Sequence, residues 1–329
     1  MKLRLGTRGS ALALAQSQMV ADAVTAATGL TVELVEIVTP GDRSSAPVQR
    51  LGVGVFVSAL RDALTAKEID FAVHSYKDLP TAAADDLIIA AVPERADPRD
   101  ALVARDGLTL AELPPSSTVG TGALRRIAQL KALGLGLRTA PIRGNIDSRL
   151  RRVSSGELDA IVLARAGLVR IGRADEATET LDPMLMLPAP AQGALAVECR
   201  SDNTDLVEAL AALDHPATRA AVAAERGLLA KLEAGCSAPI AGLAEIAAGD
   251  GDQDEIYLRG AVFSEDGRHA IRLSRTGAFT EFAEAEQIGR QLAGDLLAAG
   301  ADRLFAFGGT VPSQASEADE NDAVPGSAQ

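Results

Sequence analysis

The sequence predicts an α/β protein, with two α/β domains followed by a small α+β domain. Short β-like runs alternate with helical runs, and this alternation restarts after a Pro- and Asp-rich passage at residues 93–101. Such alternation is typical of open α/β sheets. A later helical run at residues 218–232 is followed by three strand-like runs with no helix between them. The chain has 329 residues, 47% of them hydrophobic, which is enough for two or three cores.

The first α/β repeat contains a well-marked helix start. Ser10 precedes the helical run 11–27 and is expected to be its N-cap, with Leu12, Met19 and Ala23 on the buried side. A Gly-, Pro- and Ser-rich loop of this repeat is long enough to be a lid or a disordered segment. The remaining expected elements are strands at residues 2–6, 32–38 and 69–74, a helix at 56–66, and that loop at 40–54.

The second repeat and the C-terminal part follow the same reasoning. The second repeat is expected to have strands at residues 118–121, 137–142 and 160–163, and helices at 124–133 and 146–154. A crossing back to the first repeat leads into a strand at 194–199. The C-terminal part is expected to have the helix 218–232, an antiparallel meander of 240–246, 256–263 and 269–275, and a closing helix at 282–298. The tail from about Gly308 is rich in Ser, Pro, Gly and acids, which predicts disorder.

Composition excludes several classes of protein. Two cysteines are too few for a disulfide framework in so long a chain, and three histidines offer little material for a zinc site, so we expect no metal. The start, MKLRLGTRGS, lacks the apolar core of a signal peptide, and no later run reaches membrane-span length. These features predict a cytoplasmic protein with free thiols and no membrane association. A net charge of −13 argues against nucleic-acid binding.

Positive charge is nevertheless concentrated in one stretch. Residues 121–173 contain eleven basic residues and three acidic ones, a net charge of +8, and ten of the eleven are arginines. Arginine suits two-pronged binding of a carboxylate or a phosphate. A solvated helix face explains Arg151 and Arg152 well enough. It does not explain the whole cluster, which indicates an anionic ligand.

The stretch HSYKDLP places His74, Lys77 and Asp78 where an expected strand runs out into a loop. A carboxylate held at such a strand end can act as an acid, a base or a stabiliser of positive charge. An ordinary turn aspartate fits these seven residues equally well, so both interpretations of Asp78 stay open. His74 is expected to be a packed or hydrogen-bonded strand residue.

Three further junctions between a strand and a helix carry arginines. In GTGALRRIAQL, Arg125 and Arg126 lie in the first turn of a helix, where free backbone N–H groups already favour anions. In RGNIDSRL, Arg143 ends a strand and Arg149 follows about one helical turn into the next helix. Arg8 lies at the junction TRGS. There is no Walker lysine and no GxGxxG after a strand, so nucleotide binding is poorly supported.

The two cysteines have different settings. Cys199 lies in an expected strand and is interpreted as a packed core residue. Cys236, in EAGCSAPI, has a Gly neighbour and a following turn, which predicts an accessible thiol. Composition alone would favour a surface thiol of no consequence.

Nine of these stretches, taken together and in order, resemble the porphobilinogen deaminase family, also called hydroxymethylbilane synthase. The resemblance runs from about Leu3 to about Ala306 and implies two domains like periplasmic binding proteins, residues 1–93 with 194–211 and residues 94–193. A third domain, residues 215–307, carries the cysteine, and residues 308–329 form the disordered tail. The stretches are TRGSALALAQ, VTPGD, DFAVHSYKDLPT, ERADPRDA, GTGALRRIAQL, RGNIDSRL, GELDAIVLARAGL, PAPAQGALAVECR and LEAGCSAPIAG.

The resemblance implies a transferase of tetrapyrrole (haem) biosynthesis. Cys236 matches the family's covalent attachment point for the cofactor dipyrromethane, a two-pyrrole primer held by a thioether. Four porphobilinogen units are added to the primer with loss of ammonia, and hydroxymethylbilane is then released by hydrolysis. A thiol suits this attachment, because it is a strong nucleophile. Asp78 matches the catalytic aspartate, which would stabilise the cationic azafulvene formed when porphobilinogen loses ammonia.

The resemblance also implies roles for the other polar residues. Each pyrrole carries an acetate and a propionate, so every added unit brings two negative charges, which the arginines would bind. Gln192 lies in the crossing between the two α/β domains and is expected to act in its hinge. The expected primer-binding residues are Lys77, Thr121, Arg125 and Arg126, and the expected substrate-binding residues are Arg8, Ser10, Arg143, Arg149 and Arg170.

Two stretches depart from the family pattern. QRLGVGVF, at residues 49–56, is about one residue shorter than the family's lid stretch and has Val where Lys is usual. The usual Thr-Ser-Ser before Leu-Arg-Arg is Thr-Gly-Ala, so two hydroxyls near the expected primer are missing. These differences concern the lid and the rate, since Asp78, the arginines and Cys236 are all present.

Two other functions are compatible with parts of the sequence. A non-catalytic binder of organic acids would use the paired domains and the arginines, but it has no use for Cys236. A cysteine acyl-transfer enzyme needs a histidine beside its thiol, and His74, His215 and His269 lie in no recognisable motif of that kind. The deaminase is the stronger interpretation, and a monomer that binds the small molecule porphobilinogen is the family expectation.

Overall fold

The computed structural model describes residues 2–38, 57–232, 239–249 and 253–306, with residues 305 and 306 as backbone only. These residues form three units, each built on its own sheet. The expected lid loop at 40–54, the expected cofactor-binding residue Cys236 and the expected disordered tail at 308–329 lie outside the described residues.

The first unit is a five-stranded sheet covered by helices. Its strand order is β2-β1-β3-β10-β4, with β1, β2 and β3 parallel and β10 antiparallel to both of its neighbours. The strands are β1 (Lys2–Thr7), β2 (Thr31–Glu36), β3 (Phe71–Ser75), β4 (Leu87–Ala91) and β10 (Leu195–Arg200). The helices are α1 (Ala11–Thr28), α2 (Ser58–Thr65) and α6 (Thr204–Ala211).

The second unit repeats this arrangement. Its strand order is β7-β6-β8-β5-β9, with β6, β7 and β8 parallel and β5 antiparallel to both of its neighbours. The strands are β5 (Asp100–Ala104), β6 (Thr118–Gly120), β7 (Arg138–Ala140), β8 (Ala160–Ala164) and β9 (Glu179–Thr180). The helices are α3 (Leu124–Ala132), α4 (Ile146–Ser154) and α5 (Arg165–Arg170).

Two adjacent chain segments connect these units. The first crossing, residues 92–99, leads into β5, and the second crossing, residues 188–194, leads into β10, so each crossing supplies the fourth strand of the sheet it enters. Ala96 N–H donates to Gly193 O over 3.3 Å. Gly193 has φ +90°, and a Cβ there would lie 2.4 Å from Ala96 O. Only glycine therefore allows the crossings to pass this closely.

The third unit is a three-stranded antiparallel sheet with helices on one face. Gly289 allows its two long helices to pack backbone to backbone, since a Cβ there would lie 1.9 Å from Ala224 O. The opposite face of the sheet packs on the second unit, where Phe263 and Ala261 meet Leu187 and Ala128. The elements are α7 (Pro216–Leu232), β11 (Ile240–Ala248), β12 (Asp254–Phe263), β13 (Ala270–Phe279), α8 (Phe282–Ala298) and α9 (Ala301–Ala306).

The predicted α/β class and the small C-terminal sheet are confirmed, but the expected buried face of the first helix is wrong. Met19 is 52% exposed, Ala23 is exposed and Leu12 is half-buried. The helix is rich in alanine, so its apolar periodicity is weak, and Gln16 can be buried because its amide bonds Ser75 Oγ at 3.0 Å. The residues buried instead are Gln16, Ser17, Val20, Ala21 and Val24.

Several elements had no sequence signal strong enough to predict them. β5 begins with a charged residue inside the Pro- and Asp-rich passage, although all five of its residues are buried. The short elements β4, β9, α5 and α6 were likewise not expected. None of the helices within the described ranges combines the length and apolar character needed to cross a bilayer.

Candidate functional site

The chemistry-bearing residues lie where parallel strands of both sheets end. Ligands bind at this edge in open α/β folds. In the first unit, Arg8 and Ser10 follow β1, and Lys77 and Asp78 follow β3. In the second unit, the residues after β6, β7 and β8 are Thr121, Arg125, Arg126, Arg143, Arg149 and Arg170.

The loop after β3, residues 76–80, is called the β3 loop below. Its first three residues form a single 3-10 turn, in which Leu79 N–H donates to Tyr76 O over 3.2 Å. Leu79 is 4% exposed and anchors the loop, whereas Asp78 is exposed. The carboxylate of Asp78 is therefore held at the end of a buried strand with its side chain open to solvent.

Lys77 points away from solvent into the junction between the units. Its Nζ donates to Gln192 Oε1 over 3.3 Å. Burial lowers the pKa of Lys77 to about 8, with Asp78 and Asp100 favouring the charged form and Arg126 and Arg125 opposing it. The ammonium of Lys77 is thus influenced by Asp78 of the first unit and by Asp100, Arg125 and Arg126 of the second unit, besides its hydrogen bond to Gln192.

Arg125 and Arg126 enclose a buried carboxylate that sequence reasoning had missed. Asp100, the first residue of β5, is fully buried. Its Oδ1 accepts from Arg126 Nη2 at 2.7 Å and from Arg126 Nε at 3.1 Å, and its Oδ2 lies 2.8 Å from Arg125 Nη1. The two guanidiniums hold the pKa of Asp100 well below its usual range, despite the cost of its burial.

This arginine pair also donates hydrogen bonds to backbone carbonyls. Arg125 Nη1 donates to Leu187 O over 2.6 Å, and Arg126 Nη1 donates to Val162 O over 3.0 Å. Both arginines are 6% exposed. The pair predicted to bind the primer is therefore also part of a buried ion-pair network.

Gln192 joins this network to the first unit. Its Nε2 donates to Asp100 Oδ1 and to Pro98 O, both over 2.8 Å, while its Oε1 accepts from Lys77. Gln192 is fully buried and lies between two residues of positive φ, Ala191 at +62° and Gly193 at +90°. One amide thus contacts the first crossing, the β3 loop and the buried carboxylate.

The second group of arginines has a different environment. No carboxylate oxygen of the described residues lies within 4.0 Å of Arg143, Arg149 or Arg170. Buried nitrogens of two of them, Arg143 Nη1 and Arg170 Nε, have no hydrogen-bond partner among the residues that the structure describes. Burial lowers the pKa of Arg170 to about 10. Burial also lowers the pKa of Arg149, with Arg126 and Arg143 adding to the effect and Asp78 opposing it.

Backbone carbonyls supply the contacts that orient these side chains. Arg149 Nε donates to Gly144 O over 2.9 Å, and Arg170 Nη2 donates to Gly193 O over 2.6 Å. The second contact ties α5 to the second crossing. Both guanidiniums keep donors for an anionic ligand, because each has five N–H groups.

The smaller polar residues of the site have local contacts. Ser10 is the N-cap of α1, as predicted, and its Oγ accepts from Ala13 N–H at 3.3 Å. Thr121 is fully buried, and its Oγ1 accepts from Ala123 N–H at 3.3 Å. A Cβ at Gly122 would lie 2.8 Å from Ile142 O, so the backbone here leaves no room for the hydroxyl residue usual in the family. Arg8 is half-buried just beyond the end of β1.

His74 and Cys199 are structural residues, as predicted. His74 is 5% exposed, and its Nε2 lies 3.1 Å from Oε2 of Glu198, which also accepts from Arg61. Cys199 is fully buried in β10, and burial raises the pKa of its thiol to about 11. A thiol with so high a pKa is a poor nucleophile.

Sequence reasoning also missed the residues that join the crossings to the third unit. Arg95 makes a two-pronged ion pair with Glu225 of α7, at 2.7 and 3.0 Å, and its Nε donates to Gln192 O over 2.8 Å. Glu225 further accepts from the backbone N–H of Ala191 and of Ala244. The only signal was the density of charge in ERADPRDA, and the partner lies 130 residues away.

Comparison with known proteins identifies the family of the chain. Residues 3–208 match the family profile "Porphobilinogen deaminase, dipyromethane cofactor binding domain", and residues 219–298 match "Porphobilinogen deaminase, C-terminal domain". The chain is 60% identical to the porphobilinogen deaminase of Nocardia farcinica, over 92% of this chain and 88% of that one. It is 57% identical to that of Mycobacterium tuberculosis H37Rv, over 92% and 98%.

Among solved structures, the methionine binding protein MetQ matches 64% of this chain and 88% of its own, with 15% identity and a TM-score of 0.42. The sequence matches are far stronger, and they extend through all three units. The chain belongs to the porphobilinogen deaminase family.

Proposed function

We propose that the chain joins four porphobilinogen molecules head to tail on a dipyrromethane primer, with loss of ammonia, and then releases hydroxymethylbilane by hydrolysis. One observation carries this proposal. An exposed carboxylate, Asp78, lies close enough to Arg149 to act on its charge, and Arg149, Arg143 and Arg170 have no carboxylate partner within the described part of the chain. A site of this kind suits a substrate that bears carboxylates and reacts through a cation.

The donor set fits the cofactor that the family requires. Dipyrromethane carries acetate and propionate side chains, and the site offers buried guanidinium nitrogens on Arg143 and Arg170 that have no partner in the described part of the chain. Charged hydrogen bonds to carboxylates are the contacts these atoms would favour. Lys77, Thr121, Arg125 and Arg126 would hold the primer, which Cys236 would bind covalently. When bound, the primer supplies the pyrrole carbon to which the first substrate is joined.

Asp78 is the residue proposed to act on the reacting atoms. Loss of ammonia from porphobilinogen leaves a cation, and a nearby carboxylate stabilises it without having to move. The same carboxylate can accept the proton lost after carbon–carbon bond formation. Its exposure and its freedom from ion pairs within 4.0 Å among the described residues suit both roles, since a carboxylate locked by arginines would be a weaker base.

The arginines are proposed to bind the carboxylates that accumulate as the chain grows. Arg8, Ser10, Arg143, Arg149 and Arg170 would bind substrate and product. Burial lowers the pKa of Arg149, and the like charges of Arg126 and Arg143 lower it further by repulsion. Each incoming unit brings two carboxylates that relieve this repulsion, and this favours elongation.

We also propose the domain division at residues 1–93 with 194–211, 94–193 and 215–307. The three separate sheets support it, and so does the hydrogen bonding of Gln192 at the point where both crossings meet. A hinge at Gln192 would let the first two units close on substrate. A monomer in the cytoplasm suits an enzyme with a free, buried Cys199 and a thioether-forming Cys236.

The test of this function combines turnover with intact mass. Purified chain is expected to convert porphobilinogen to hydroxymethylbilane and, when denatured, to carry the mass of a two-pyrrole adduct that maps to Cys236. Cys236→Ser is expected to fold but to lack both adduct and activity. Cys199→Ala is the matched control and should keep both. An active enzyme with an unmodified Cys236, or an adduct on Cys199, would contradict the proposal.

A further inference from the structure

Apart from the buried side chain of Leu79 and the hydrogen bond from Lys77 to Gln192, the β3 loop has few contacts that fix its backbone. It contains one internal hydrogen bond, and Tyr76 N–H donates to Ala194 O of the second crossing over 3.1 Å. A single 3-10 turn is a weak element, and its carbonyls need donors when they are turned away from water. The position of Asp78 therefore depends on what contacts these carbonyls.

Arg226 of α7 supplies those donors. Its Nη2 donates to Pro80 O over 2.6 Å, and its Nη1 donates to Leu79 O over 3.1 Å. Nη1 also lies 3.5 Å from Tyr76 O, at the limit of a hydrogen bond. The contacted carbonyls flank Lys77 and Asp78 on both sides. The guanidinium thus grips the backbone of the loop and leaves the Asp78 carboxylate exposed.

The ring of Tyr76 fixes the guanidinium in turn. The guanidinium carbon lies 4.6 Å from the ring centroid, within the range of a cation–π contact. Tyr76 also packs against Val222, one turn earlier on α7, and against Ala191 and Ala194 of the second crossing. The aromatic ring is therefore held between α7 and the crossing, and Arg226 is held between the ring and the loop.

We propose that Arg226 is a positioning residue, through which α7 sets the place of the Asp78 carboxylate. This inference rests on the proposed function, in which Asp78 acts on the substrate. The same helix ends at Leu232, four residues before Cys236 in the sequence. One helix thus supports the catalytic carboxylate and leads directly into the segment that carries the primer attachment residue.

A second arginine of the same helix provides a matched control. Arg219 lies two turns earlier on α7 and also donates to carbonyls of the first unit, Ala90 O at 3.1 Å and Ile89 O at 3.3 Å. These carbonyls belong to β4 and its ladder, away from the β3 loop. Loss of Arg219 removes the same kind of carbonyl contact, together with an ion pair to Asp214 at 2.8 Å, but none of these partners lies in the β3 loop.

The experiment compares Arg226→Met with Arg219→Met in the full-length, primer-loaded enzyme. Arg226→Met is expected to lower kcat about 10- to 100-fold, the cost of a small displacement of a catalytic group, with KM close to that of the unaltered enzyme. Its adduct mass on Cys236 should be retained. Amide hydrogen exchange, which does not depend on turnover, should become faster at Tyr76 and Leu79. Arg219→Met should speed exchange around β4 and should leave kcat near that of the unaltered enzyme.

Arg226→Lys keeps the positive charge but loses the two-pronged donor geometry of the guanidinium. Its kcat should therefore lie between those of the unaltered enzyme and Arg226→Met. If Arg226→Met does not fold, the Lys variant carries the test through its exchange at Leu79. Unchanged exchange in the β3 loop, or a kcat no lower than that of Arg219→Met, would overturn the inference. Failure of the proposed function would be seen in the unaltered chain, as absent turnover and absent adduct, and would remove the basis of the inference as well.

Discussion

Asp100 and Asp78 are two aspartates that meet arginines of the same unit in opposite ways. Asp100 is fully buried and contacts Arg125 and Arg126 within 2.8 Å, and the ion pairs hold its pKa far below the usual range. Asp78 is exposed and influences Arg149 only from a distance. A carboxylate that is locked by guanidiniums keeps its charge and its place, which suits structure. A carboxylate that is left open can stabilise a cation or accept a proton.

The arginines divide in the same way. Arg125 and Arg126 both form ion pairs with Asp100, whereas Arg143, Arg149 and Arg170 have no carboxylate within 4.0 Å in the described part of the chain. The first pair maintains the junction between the units even without a ligand. Among the described residues, Arg143 and Arg170 of the second group each keep a buried nitrogen without a hydrogen-bond partner, which a ligand can use. Partner contacts thus separate a structural cluster from a binding cluster, although both arise from one Arg-rich stretch.

The largest expected effect is on protein stability and involves the structural cluster, which consists of Asp100, Arg125 and Arg126. Asp100→Ala leaves two buried guanidiniums without their counter-charge, so it should reduce the free energy of unfolding by about 3–5 kcal/mol. Asp97→Ala is the control, since Asp97 pairs with the more exposed Arg99 and should cost no more than about 1 kcal/mol. Denaturant titration measures both. Equal losses in the two variants would remove the distinction between the clusters.

The binding cluster, which consists of Arg143, Arg149 and Arg170, is tested by Arg149→Leu. The loss of one carboxylate contact should lower binding or rate about 10- to 100-fold, and partly built chains should remain attached to the protein. Arg151→Leu, on the same helix but exposed, should do neither. Mass spectrometry of the denatured protein after brief exposure to porphobilinogen detects the trapped chains. Normal activity without trapped chains in Arg149→Leu would show that this arginine binds no substrate.

A smaller effect follows from the depressed pKa of Asp100. Its unfolded value is near 3.8 and its folded value is lower, so its contribution to stability is present above about pH 4. That contribution is lost as the pH falls through the folded pKa. The difference in unfolding free energy between the unaltered protein and Asp100→Asn should therefore narrow on acidification below about pH 4. A difference that is independent of pH would mean that the Asp100 charge does not hold the arginines.

The smallest expected effect is on the pKa of Lys77, whose ammonium is close enough to Asp100, Arg125 and Arg126 to be influenced by their charges. Its pKa of about 8 means that a substantial fraction is neutral in mildly alkaline solution. Reductive methylation followed by peptide mapping should give a labelling midpoint near pH 8 in primer-free protein. Loading with the primer brings carboxylates that favour the ammonium, so the midpoint should rise. If it stayed the same on loading, Lys77 would not be a primer-binding residue.

The residues at the ends of parallel strands could be predicted from the sequence. The residues that connect the three units to one another could not. Asp78, Arg125, Arg143 and Arg149 each follow a recognisable strand signal, Asp78 in the first sheet and the three arginines in the second. Arg226 and its loop carbonyls are about 146 to 150 residues apart, so no local pattern connects them.

The pairing of Arg95 with Glu225 depends in the same way on how the crossings pass α7, which only the folded chain reveals. Asp100 was hidden for another reason, because a charged residue at the start of a buried strand contradicts the usual apolar signal. The face of α1 could not be predicted because alanine on every side gives almost no periodicity.

The contrast between the open and the locked aspartate is tested most directly by single-turnover kinetics of primer-loaded Asp78→Asn, with unfolding measured on the same protein. The substitution keeps the size of the side chain but removes its charge. The rate of porphobilinogen addition should fall about 10²- to 10⁴-fold, while the free energy of unfolding stays unchanged because Asp78 is exposed and makes no buried ion pair. A primer-loaded Asp78→Asn enzyme that reacts like the unaltered one would make Asp78 an ordinary turn residue and would contradict the proposed mechanism.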